Sequence, residues 1–155
     1  MLLATVRRSS RRSAFTLLEV LVVVAILVIL ATVATVATTR YIEDAKKSKA
    51  QLGCQSIATA IEAYMNSPQN PGRDLTDDQK MPSSPADLVQ PPFGGPSFLR
   101  NGQQDILDPW GKQYQMQQHT RQDGTMYMLV TTVAPDGTQI SQFGVGPNAI
   151  PKQGQ

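Results

Sequence analysis

From Phe15 to about Thr39 the chain is apolar almost without interruption, and the only ionisable side chain in that run is Glu19. Arg7, Arg8, Arg11 and Arg12 come immediately before it. At about 1.5 Å of rise per helical residue the run reaches roughly 37 Å, more than the roughly 30 Å hydrocarbon core of a bilayer. A chain built this way is committed to a spanning helix at its start, with everything that folds later on one side of the membrane. The basic flank holds the short N-terminal segment in the cytoplasm and places the remainder outside.

Glu19 is the anomaly. A carboxylate in lipid costs about 2–3 kcal/mol on insertion scales and marks a functional site by default. One reading has it snorkelling to water, since it lies only a turn inside the apolar run. The other needs a cation at the same depth. A cut between Ala14 and Phe15 creates one, an amino group one helical turn from Glu19 and on the same face. Between two copies of the chain, the amine of one satisfies the carboxylate of the other, in a low dielectric where the attraction is large.

Ala14-Phe15-Thr16-Leu17-Leu18-Glu19-Val20, behind a short basic leader and ahead of an apolar helix, resembles the class III signal of type IV pilins and pseudopilins. The resemblance implies cleavage by prepilin peptidase after Ala14, N-methylation of the new Phe15 amine, and a Glu19 needed for subunit assembly. The usual residue before the cut is Gly; Ala14 keeps a small side chain there. A secretory signal peptide is the competitor, with a cut near Thr35-Val36-Ala37, but its apolar core is only about 7–15 residues long. An uncleaved signal anchor is the other rival.

Charge follows the cut. The chain has 14 basic and 12 acidic side chains, and four of the basic ones are leader arginines. Ten against twelve remain after the leader is removed, so the basic balance is no argument for nucleic acid. Cys54 is the only cysteine, which rules out an intrachain disulfide. It reads as a small half-buried helix residue. Roughly 100 residues follow the apolar run, enough for one small core.

Residues 40–67 extend the helix as an amphipathic half beyond the membrane half, 15–39. Ala50, Cys54, Ile57, Ala58, Ile61, Tyr64 and Met65 recur at helical spacing, and Asn66-Ser67-Pro68 ends the run. Within the membrane half, Ala31, Ala34, Thr35 and Thr38 form a ridge of small residues, either a close-approach face or residues the bilayer merely tolerates. Residues 68–105 are a Pro/Gly-rich loop region with one short helix expected between Met81 and Val89, capped by Ser83 or Ser84 ahead of Pro85. Residues 106–150 turn to β, with strands at Lys112–Gln118 and Met126–Val133 and a short third within Thr138–Phe143. His119 falls in the first hairpin loop of this reading, and 151–155 is a tail. The fold class is α+β, a long N-terminal helix packed on a small C-terminal antiparallel sheet.

Asp108-Pro109-Trp110-Gly111 before the first strand, within the run from Phe98-Leu99 to Tyr114, resembles the hallmark of the major pseudopilin of type II secretion. Ala134-Pro135-Asp136-Gly137 resembles that family's later loop. The resemblance implies a type IV pilin-like fold and a helical homopolymer, the periplasmic pseudopilus, that acts as a piston for export of folded proteins. It also implies partners: minor pseudopilins, the prepilin peptidase, and an inner-membrane assembly platform with its ATPase. The chain would be single-pass in the inner membrane with a periplasmic C-terminal domain. Calcium is the one cofactor implied, at a loop including Asp136; beside it this sequence offers only carbonyls, Ser141 and Asn148, enough for a weak site. Calcium takes about six to eight oxygens and usually several charges; no carboxylate follows Asp136, so the ligand count favours a turn aspartate.

Catalysis has little to rest on. The chain has one His, one Cys, and no H-E-x-x-H, P-loop or G-x-G-x-x-G. Asp77-Asp78 and Asp105/Asp108 read as solvated turns, and the expectation is a non-enzymatic subunit. The alternatives are a type IV pilin of a surface fibre for adhesion, motility or DNA uptake, and a single-pass anchored binding module.

Overall fold

The computed structural model describes residues 15–72, 80–121 and 124–151, with all their side chains except those of 36 and 37. The leader with Ala14, the Asp77-Asp78 pair, Asp123 and the tail from Lys152 lie outside the described residues.

Helix α1 runs Leu17–Met65. No proline interrupts it, and its composition of Leu, Val, Ile and Ala, then Ala, Lys, Gln and Glu, suits a helix throughout. It stops where Asn66-Ser67-Pro68 was expected to stop it. One compact unit closes at Tyr41 and a second opens at Ile42. In the first, the described side chains from Phe15 to Thr35 are all exposed, and the helix is long and apolar enough to cross a membrane.

In the second unit α1 buries Ala50, Cys54, Ile57, Ala60, Ile61 and Tyr64. The expected stripe is there, with Ala58 and Met65 half-buried at its margin and Ala60 added. Leu88, Leu99, Ile106, Tyr114 and Val130 pack on it as the core. Tyr64 also meets Phe93 and Phe98, at ring-centroid distances of 5.0 and 5.5 Å. The 80–105 segment is therefore a packed cover over the helix. Asn70 pins the chain where it leaves α1: its buried side chain donates to the carbonyls of Tyr64 and Lys80 and accepts from the Gly72 N–H.

Helix α2 spans Pro85–Val89 with Ser84 as its N-cap, as expected. Pro85 restricts Ser84 to an extended conformation, φ −149° and ψ 159°, so the helix opens at the proline. Asp87 accepts from the backbone N–H groups of Ser83 and Ser84 and fixes that opening.

The sheet is antiparallel in the order β1-β2-β3, with β1 at Gln115–Thr120, β2 at Met126–Val133 and β3 at Gln139–Ser141. Strand β2 matches its expected range. Strand β1 begins later than expected because a tight turn, with Asp108 N–H donating to the Lys112 carbonyl at 2.7 Å, occupies the preceding residues. His119 is not in a loop: it pairs with Tyr127 in the β1–β2 ladder. Strand β3 stops at Ser141 because the Gln142 side chain takes over. Its Oε1 accepts from Val130 N–H and its Nε2 donates to the Met128 carbonyl, two bonds a longer strand would have made.

Candidate functional site

Two groups of residues carry the chemistry singled out in the sequence. The first is the start of α1. Thr16 precedes the helix and Glu19 is its third residue, and the two cap each other. Thr16 Oγ1 accepts from the Glu19 N–H at 3.2 Å, while Glu19 Oε2 accepts from the Thr16 N–H at 2.9 Å and from its hydroxyl at 3.1 Å. This reciprocal T-x-x-E arrangement satisfies donors that a helix start otherwise leaves unpaired. The sequence signal for it is the T-x-x-E spacing of Thr16-Leu17-Leu18-Glu19. Phe15, just outside the helix, is exposed.

Further along the same segment, the ridge residues Thr35 and Thr38 and their neighbours Thr32 and Thr39 bond within the helix. Thr32, Thr35, Thr38 and Thr39 donate their hydroxyls to the carbonyls of Val28, Ala31, Ala34 and Thr35, at 2.8–3.0 Å. The hydroxyls are thus paired within the helix, as an apolar solvent requires.

The second group surrounds the start of the helix portion in the globular unit. Asp108 is not a solvated turn residue; it is 5% exposed. Its carboxylate accepts from the N–H groups of Trp110 and Lys112 and, at 2.6 Å, from the hydroxyl of Thr132 on β2. Asp105, by contrast, is local, accepting from the Asn101 backbone and side chain. Gly111 closes the Asp108 turn with φ 82°. Trp110 is thereby set against Ala50, Ala134 and Ile140, with Val145, as the seal of one end of the core. Its indole N–H reaches Glu43 Oε2 at 3.4 Å, and Lys46 holds the Glu43 carboxyl below its ordinary range.

Asp136 sits in the β2–β3 turn, where Gly137 adopts φ 83°. Its Oδ2 accepts from the Lys47 ammonium and its Oδ1 from the Thr138 N–H. The ammonium holds this carboxyl far below the ordinary range. Ser141 is fully buried, its hydroxyl bonded to the Ala149 carbonyl and the Phe143 N–H.

Burial pushes the Cys54 thiol up to about 12, so it remains a protonated core side chain beside the Ile140 carbonyl. Among the described residues no three His, Cys, Asp or Glu side chains gather closely enough to hold a metal.

Gly53 lies in mid-helix, facing Tyr114. A Cβ there would lie 2.1 Å from the Tyr114 hydroxyl oxygen.

Compared with known families, the model described as the prokaryotic N-terminal methylation motif matches residues 9–35. No curated protein and no solved structure matches the chain. The matched segment, the long helix it opens and the small antiparallel three-stranded sheet after it make a type IV pilin-like layout.

Proposed function

We propose that this chain, which carries the N-terminal methylation motif, is a non-enzymatic filament subunit, and specifically the major pseudopilin of a type II secretion system. The observation that carries the reading is the methylation motif at the head of a membrane-length helix, with Glu19 fixed one turn from Phe15. In this reading the chain inserts with its leader in the cytoplasm, prepilin peptidase cuts after Ala14, and the Phe15 amine is methylated. Both Thr16 bonds fall on Glu19 Oε2, and the amine of a neighbouring subunit takes Oε1. Repetition of that heterologous contact gives an open helical polymer rather than a closed ring. Minor pseudopilins, the inner-membrane platform and its ATPase extend the polymer as a piston, with the sheet domains on the periplasmic side.

The buried Asp108 turn supports the pseudopilin reading over an anchored binding module, because its resemblance is to a filament subunit. Intact mass and N-terminal sequencing of the membrane-purified protein test the processing step. The expected chain begins at N-methylated Phe15; a chain beginning at Met1 or at Thr38 overturns the proposal. Deletion of the protein separates the two filament readings: loss of protein export marks a pseudopilin, loss of surface fibres a pilin. Glu19→Gln should abolish the polymer while leaving membrane insertion intact.

A further inference from the structure

We propose that Lys47 takes the place of a bound cation in this chain, fastening the β2–β3 turn to α1 so that the turn needs no divalent ion. The turn runs from Ala134 to Thr138, closed by Ala134 N–H to the Thr138 carbonyl and Gly137 N–H to the Ala134 carbonyl, both at 2.9 Å. Closure of the turn on itself does not attach it to the helix. The attachment is the ion pair from Lys47 on α1 to Asp136, 89 residues apart in sequence, next to the apolar contact of Ala50 with Ala134 and Ile140.

The donor set does not fit calcium. That ion takes about six to eight oxygens with several negative charges. Asp136 is the last carboxylate side chain of the chain, and both of its oxygens are engaged, one by an ammonium. Ser141 turns its hydroxyl into the interior. A divalent ion at Asp136 would face the Lys47 charge directly. The hydrogen bond to Asp136, and after it the charges of Asp136, Asp44 and Glu43, raise the hold of Lys47 on its proton, so the position is filled by a fixed monovalent cation. The Lys47 side chain is 21% exposed and that of Asp136 51%, which makes the pair accessible to salt. The clasp holds for a pseudopilin and a surface pilin alike.

Amide exchange of Ala134, Asp136, Gly137 and Thr138, followed in the full chain in detergent micelles, tests it. Equal protection in EDTA and in millimolar calcium is expected. Lys47→Gln should speed exchange there about two- to fivefold in both conditions, the range of an exposed pair. The exchanged pair Lys47→Asp with Asp136→Lys should restore it. Faster exchange of the wild-type turn in EDTA overturns the proposal, and so does a Lys47→Gln turn as protected as wild type. Should either variant fail to fold, the wild-type EDTA and calcium arms decide alone.

Discussion

The hydroxyl of Tyr114 donates to the main-chain carbonyl of Ala50, 3.2 Å away, across the one turn of α1 at which the position facing the ring is glycine. The ring can lie on the helix backbone only because Gly53 has no side chain. An alanine at 53 would put a Cβ 2.1 Å from Oη and 2.7 Å from Cζ.

Gly53→Ala is therefore expected to destabilise the globular unit by about 1–2 kcal/mol, overpacking outweighing the gain in helix propensity. Chemical denaturation followed by the fluorescence of Trp110 measures it. In a Tyr114→Phe background the further loss should shrink, because the closest atom has gone.

Asp108→Ala removes one buried carboxylate and strands three donors, the Trp110 and Lys112 N–H groups and the Thr132 hydroxyl. A loss of about 3 kcal/mol is expected from bonds to a charged acceptor. Thr132→Val, which removes only one partner, should cost about 1 kcal/mol. A thermal melt in which the two variants are equally destabilised would show that the Thr132–Asp108 bond, not the turn, carries the stability.

Acid should loosen the Trp110 contact with a defined sign. Lys46 depresses the Glu43 carboxyl below its ordinary value of 4.5. For a depressed carboxyl, the stabilisation is present above the unfolded value and is lost as pH falls through the lower folded one. Trp110 emission should stay constant from neutral pH down to about 4.5 and shift only below that. Lys47 lies beside the same carboxylate and stays charged throughout. Glu43→Gln should flatten the shift.

Thr16→Ala removes the acceptor of the Glu19 N–H and should destabilise the first turn of α1 by about 1 kcal/mol. NMR amide exchange at Glu19 in micelles reads this directly. Thr16→Ser keeps the oxygen and should behave as wild type.

The long helix, its apolar stripe and the three-strand order were legible because each rests on a period that survives packing. The stripe from Ala50 to Tyr64 and the β-branched and apolar run Met126–Val133 needed no tertiary information. His119 was placed in a loop because the start of β1 is set by the Asp108 turn, a contact between distant residues. Asp108 was read as solvated for the same reason, since nothing local foretells that Thr132 will cover it. The Gln142 amide and the Lys47–Asp136 pair are also long-range bonds, and no window of sequence contains both partners. Gly53 belongs with these, since the Tyr114 ring that needs it lies far along the chain. The Thr16/Glu19 cap is different, because its T-x-x-E spacing is a wholly local signal.

The four back-bonded threonines between 32 and 39 have a mechanical consequence. In hydrocarbon, opening a helical turn exposes carbonyls that no water can reach. Here the carbonyls of Val28, Ala31, Ala34 and Thr35 each already hold a second donor from a hydroxyl one turn on. If the main-chain bonds part, those oxygens keep a partner. The segment carries its own internal solvent, and it can yield at this depth without the proline that would otherwise mark a hinge.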